Sequence, residues 1–194
     1  MSAPTAPRLI APIAALHHPD ADALNDPLAA AFAALDDTDF SRRSHFIDGR
    51  FENLYLDSSR LPGLDALLRF ATDAAAGRLG PDCPPLRCGF WLNAMPPGSS
   101  TSRHSHEEND ELLSGVYYVT APAQSGDIVF GDGPFEIRVT PEPGLLLLFP
   151  PALLHWVEPH RGEGLRLSVA FNFGPESDSK NAAKTTETRR MSGG

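Results

Sequence analysis

Five side chains carry the chemistry that this chain can be expected to do. His104 and His106 form a His-x-His pair, His155 lies far downstream, and Arg166-x-Ser168 follows it. Alternate residues of an extended segment share a face, so an extended 104–106 stretch turns both imidazoles to one side. A third imidazole, brought back by the fold, completes a facial ligand set on a mononuclear metal and leaves coordination positions open. His155 suits that role because it follows an apolar run at 145–149 and the turn residues Pro150-Pro151. Glu111, beside the next strand, is the alternative third ligand to His106. His17, His18, His45 and His160 lack comparable context and read as surface or packing residues.

The run from Arg166 to Phe173 alternates strictly. Leu167, Val169, Phe171 and Phe173 face an apolar layer, which leaves Arg166, Ser168, Ala170 and Asn172 on the other side. A guanidinium inside a barrel is costly unless an anion meets it, and a carboxylate is its natural partner in a two-pronged contact. That anion is either a bound dicarboxylate or one of the protein's own acids. Tyr117 and Tyr118 fall on opposite faces of their strand, so one phenol reaches the cavity and the other packs outward. Asn93, on the strand before His104, is a further candidate for the lining.

Positioning these groups requires a β-rich frame. After Pro85 the chain reads as short strands separated by turn residues: 86–95, 112–121, 127–130, 135–140, 145–149, 154–158 and 165–173. Such a series predicts an antiparallel jelly roll or barrel. Ahead of it, Leu24, Leu28, Phe32 and Leu35 recur at helical spacing, with Asp20 or Asp22 as the cap. Leu64, Leu67, Leu68, Ala71, Ala75 and Leu79 predict a second helix that Gly80-Pro81 ends. Residues 9–13 read as an irregular arm or edge strand, and 46–56 as one peripheral strand. The expected architecture is mainly β (α+β), with two flanking N-terminal helices. Residues 1–85 support a core at 86–175, and 176–194 form a polar, disordered tail.

Composition narrows the function classes. The formal charge of −9 and the absence of a basic face argue against a nucleic-acid binder. No apolar run is long enough to span a membrane, and the N-terminus lacks the cationic start of a signal peptide, so a cytoplasmic location is expected. Cys83 and Cys88 are expected as free thiols. A small-molecule substrate is the expected partner, and the pattern leaves a homodimer open.

The order of several motifs resembles the 2-oxoglutarate/Fe(II)-dependent oxygenase superfamily, in particular its bacterial and phage branch. They are Trp91-x-Asn93, Pro97-Gly98, His104-x-His106, Ser114-Gly115-Val116-Tyr117-Tyr118, Gly126, Pro143-Gly144, Phe149-Pro150, His155-x-Val157-x-Pro159 and Arg166-x-Ser168 with Phe171-Asn172. They cover roughly residues 86–174. The resemblance implies a double-stranded β-helix (jelly-roll, cupin-like) core with Fe(II) at its open end, 2-oxoglutarate as cofactor and O2 as co-substrate. It implies hydroxylation of a small-molecule or carrier- or peptide-bound substrate, with release of succinate and CO2. His104 and His155 match the ligand histidines, Arg166 and Ser168 the clamp on the far carboxylate, and Tyr118 or Tyr117 its companion.

Most superfamily members have a carboxylate where this chain has His106. A three-histidine site leaves the metal more positive and favours anionic ligands in the open positions. The acidic run Glu107, Glu108, Asp110 and Glu111 then reads as a lid preferring a cationic substrate. A cupin-type metalloprotein is the competing reading, with His104, His106, Glu111 and His155 as ligands for a 2-oxoglutarate-independent dioxygenase, isomerase or sensor.

Overall fold

Alternation along the C-terminal half builds the frame of the molecule. The computed structural model describes residues 8–10, 12–47, 49–107, 109–131 and 133–176. Its strands are β1 (Arg8–Ile10), β2 (Ile13–His17), β3 (Arg42–Ile47), β4 (Arg50–Tyr55), β5 (Leu86–Met95), β6 (Leu113–Thr120), β7 (Ile128–Phe130), β8 (Ile137–Val139), β9 (Leu145–Phe149), β10 (His155–Val157) and β11 (Arg166–Pro175). Two helices, α1 (Ala21–Ala33) and α2 (Leu64–Leu79), precede β5.

Eight strands form a large antiparallel sheet in the order β1-β2-β9-β6-β11-β5-β4-β3, and three form a small sheet in the order β10-β7-β8. The segment around His104 adds to the small sheet's edge. His104 and His155 exchange backbone hydrogen bonds of 3.0 and 2.9 Å, and the Thr101 N–H donates to Val157 O at 3.1 Å. The facing sheets and the two helices make the double-stranded β-helix that the strand pattern and motif order imply.

The period of two divides the apolar side chains into two layers. Leu167, Val169, Phe171 and Phe173 of β11 pack with Leu24 and Leu28 of α1 and Leu64, Leu67 and Ala71 of α2. The opposite layer lies between the sheets and holds Met95, Val116, Tyr118, Ile128, Phe130, Leu145, Leu147 and Phe149. Pro27 removes one backbone donor within α1, yet the helix continues to Ala33 because Leu24 and Leu28 anchor it on the sheet.

Several local expectations need correction. Residues 46–56 are not one strand but part of the β3–β4 hairpin, which turns at Gly49 with φ +82°. Residues 9–13 are likewise divided between two strands, the second pairing with β9 through residues 14–17. Asp20 occupies the N-cap of α1 without a side-chain hydrogen bond to the helix. Gly80 ends α2 as expected, its N–H donating to Ala76 O at 3.0 Å. Cys83 and Cys88 are free thiols. The tail beyond Glu176, and with it the expected disorder, lies outside the described residues. Among the described residues no helix is long and apolar enough to cross a membrane.

Candidate metal centre

The small sheet's edge brings three imidazoles together. One ring nitrogen from each of His104, His106 and His155 lies within 4.8 Å of the others, a grouping that can hold a metal ion. Their ring centroids stand 4.3 to 5.1 Å apart. The backbone bridge between His104 and His155 fixes two of them across the ladder. The third is two residues along, on the same side.

Two of the rings are oriented from behind. His104 Nδ1 donates to Ser102 O at 2.8 Å, and His155 Nδ1 donates to Leu153 O at 2.9 Å. A hydrogen on Nδ1 leaves the Nε2 lone pair free for a metal, the usual way a carbonyl sets the tautomer of a ligand histidine. Phe149 packs 4.8 Å from the His155 ring, and Trp91 stands 5.6 Å from His106. Burial, reinforced by His104, pushes His155 down to about 3 and His106 to about 4. Both rings are therefore unprotonated at neutral pH, as ligation requires.

Deeper in the same cavity, of about 420 Å³, lies Arg166. It is 1% exposed. Its Nη1 donates to the carbonyls of Gly126 at 2.7 Å and Ser125 at 3.2 Å, and its Nη2 donates to the Tyr118 hydroxyl at 3.4 Å. Its Nε is buried without a hydrogen-bond partner. No ion pair among the described residues includes Arg166, so none of the protein's own described acids neutralises it. Gly126 makes the tight turn that delivers its carbonyl. Its φ is +87°, and a Cβ there would stand 2.1 Å from Glu158 O.

Register explains who accompanies the cation. Asn93, Ser168 and Tyr118 lie abreast on β5, β11 and β6. The unbroken register running from Phe173↔Leu113 places Tyr118 opposite Ser168, and the ladder shifts only beyond it, where Leu167 pairs with Thr120. Tyr117, one residue earlier, faces the helices, and its hydroxyl donates to Asn25 Oδ1 at 2.8 Å. It does not line the cavity, so of the two tyrosines Tyr118 stands beside Arg166. Burial raises the Tyr118 hydroxyl above its ordinary range, which keeps it a hydrogen-bond donor. Asn93 lines the cavity, but its amide donates to Glu52 O at 2.6 Å and Asn53 Oδ1 at 3.1 Å.

The acidic run divides. Glu111 lines the cavity outside the ligand set, and its carboxylate accepts from the Asn109 backbone and side-chain amides at 3.0 and 3.2 Å. Asp110 pairs with Arg87, Glu107 is exposed, and Glu108 lies outside the described residues. His160 is a buried packing residue and His17 pairs with Glu142 at 3.1 Å, as their context suggested. His45 is exposed, as a surface residue should be, and it also lines the cavity. Glu52, Asn53, Tyr55 and Arg42 line it too. Sequence reasoning missed all five, though the Asp48-Gly49 dipeptide, a strong hairpin signal, marked the turn that carries them there.

Residues 133–172 match the model of the family described as "Putative 2OG-Fe(II) oxygenase". Over this stretch the chain carries that family's sequence pattern. The stretch contains His155, Arg166 and Ser168. None of the curated proteins matches the chain in sequence. Among solved structures, a Pseudomonas putida prolyl-4-hydroxylase is similar with a TM-score of 0.62 at 20% identity, over 84% of this chain and 92% of that one. The non-heme alpha ketoglutarate dependent carbocyclase SnoK from nogalamycin biosynthesis gives 0.68 at 12%, over 88% and 85%. HygX from Streptomyces hygroscopicus, solved with nickel and 2-oxoglutarate bound, gives 0.61 at 17%, over 85% and 83%. At these identities the likeness is one of fold.

Proposed function

We propose that this chain is an Fe(II)- and 2-oxoglutarate-dependent oxygenase that hydroxylates a small molecule or a carrier- or peptide-bound group. One observation carries the reading: three metal-competent imidazoles share a cavity with a buried guanidinium that pairs with no acid among the described residues. The donor set fits the metal, since three neutral nitrogens leave positions for a bidentate oxo acid and for oxygen. Arg166 fits a dicarboxylate, because its orphaned Nε and its burial call for an anion.

His104, His106 and His155 would hold the iron. Arg166 would receive the far carboxylate of 2-oxoglutarate, with Ser168 and the Tyr118 hydroxyl as further donors. The carbonyls of Ser125 and Gly126 hold the guanidinium in place before the ligand arrives. Loaded with both, such a centre supplies oxidation of a C–H bond by O2, coupled to conversion of 2-oxoglutarate to succinate and CO2. The apolar layer around Phe130, Phe149 and Val157 keeps water from the inner side of the ligand set.

The cupin alternative loses its fourth ligand, because Glu111 is engaged by Asn109 and stands outside the histidine group. The charge of −9 supports an enzyme without a nucleic-acid partner. The fold likeness to a carbocyclase makes product analysis the way to establish the fate of the oxidised carbon. The test is succinate formation from 2-oxoglutarate under air with added Fe(II). Iron-dependent succinate is expected; its absence in iron-loaded protein would refute the proposal.

A further inference from the structure

The cavity has an outer half that neither the metal nor the clamp uses. It is walled by the β3–β4 hairpin, which overhangs the mouth from the edge of β5. Backbone pairing between β4 and β5 is confined to Leu54 and Leu92. Side chains bridge the rest. Asn93 Nδ2 donates to Asn53 Oδ1 at 3.1 Å, which turns the Asn53 amide N–H2 away from β5. Asn53 Nδ2 lies 3.2 Å from His45 Nδ1, and the Ser44 hydroxyl lies 3.0 Å from the same nitrogen.

This relay determines which face of His45 is presented. With its Oδ1 taken by Asn93, Asn53 can only donate to the ring, so Nδ1 accepts and the ring hydrogen sits on Nε2. Nε2 makes no hydrogen bond to any described residue, and the ring lines the cavity beside the metal histidines. The backbone is bent to put it there. His45 has φ +57° in the middle of β3, and the ladder skips it between Ser44↔Asn53 and Phe46↔Phe51. Glycine would adopt this conformation without cost; an imidazole stands there instead.

Two charged groups around this mouth are engaged, Arg42 stacking over the Tyr55 ring at 5.0 Å and Glu111 taking the Asn109 N–H groups. Glu52 stands 3.5 Å from Arg50 with its Oε1 lacking a hydrogen bond, and at 8% exposure it is buried. What remains for a ligand is the flat face of Trp91, next to His106, and the Nε2–H of His45. We infer that His45 is a specificity-determining residue of the oxygenase site, donating from Nε2 to an uncharged oxygen acceptor, an amide carbonyl or a hydroxyl, on a substrate lying along Trp91. This rests on the oxygenase reading and adds to it the class of substrate: neutral and oxygen-bearing, not the cationic one that the acidic run suggested.

The test uses full-length protein loaded with Fe(II) and 2-oxoglutarate, with succinate as readout. The probes are N-acetyl amino-acid amides, methyl glycosides, and free lysine and glutamate as charged controls. A neutral probe is expected to stimulate succinate formation above the probe-free rate and the charged ones not; amides against glycosides separates a carbonyl from a hydroxyl acceptor. For the stimulating probe, His45→Ala should raise KM about tenfold with a smaller change in kcat, as loss of one hydrogen bond predicts. His45→Gln, which retains an N–H, should recover most of that loss. Asn53→Leu should raise KM in the same direction by freeing the ring. Stimulation by charged probes alone, stimulation by none, or a KM indifferent to His45→Ala would overturn the inference while leaving the oxygenase reading standing. A parent enzyme that forms no succinate under any condition would overturn both.

Discussion

The two faces of β11 follow one rule of alternation and do opposite work. Toward the helices, Leu167, Val169, Phe171 and Phe173 build an apolar layer in which the Tyr117 hydroxyl donates to Asn25 Oδ1. Toward the small sheet, Arg166 and Ser168 stand in a cavity where the guanidinium has carbonyls and a phenol but no counter-ion among the described residues. Adjacent residues therefore differ in kind: one face stabilises, while the other holds a polar group whose burial is repaid only by a ligand. The sealed face makes the costly one affordable, because each large apolar side chain buried there contributes about 1.5–3 kcal/mol.

This contrast can be broken most forcefully at the metal. His155→Ala removes one of three ligands, so metal content after equilibrium dialysis and succinate formation should fall together by at least ~100-fold. Retained metal with unchanged turnover would remove His155 from the site. Arg166→Ala should spare the metal and raise the 2-oxoglutarate concentration for half-saturation by ~100-fold, the scale set by charged pairs in desolvated sites. A parent-like titration by that variant would end the clamp assignment.

On the sealed face the currency is stability. Phe171→Ala should lower unfolding free energy by about 3–5 kcal/mol in a denaturant titration. The folded fraction should still bind metal at the parent's stoichiometry. The tyrosine pair gives the finest comparison. Tyr117→Phe should cost about 1 kcal/mol of stability and leave the 2-oxoglutarate requirement unchanged. Tyr118→Phe should raise that requirement several-fold. Exchange of these two phenotypes would mean that the faces are misassigned.

How much of this was legible in the sequence follows from what alternation can encode. Period-two patterning marked β11 because a buried strand with one polar face leaves a clear trace, and an unbroken apolar run marked β9. His104, His106, His155 and Arg166 stood out because their residue types are expensive without a partner. Which tyrosine reached Arg166 was not legible, since the answer depends on the register in which β6 pairs with β11, which sets Tyr118 opposite Ser168. The mouth was missed for another reason. His45 and Asn53 have ordinary bland roles elsewhere, and only the hairpin's placement beside β5 brings them to the cavity of the metal site.

The central claim is that one metal and one dicarboxylate occupy the same cavity, with three imidazoles at one end and Arg166 at the other. Anaerobic addition of Fe(II) and then 2-oxoglutarate tests it most directly, with the visible metal-to-ligand charge-transfer absorption as the signal. The account predicts a band that saturates at one equivalent of each, is abolished in His155→Ala, and needs far more 2-oxoglutarate in Arg166→Ala. A parent protein that binds Fe(II) yet gives no band at saturating 2-oxoglutarate would contradict it.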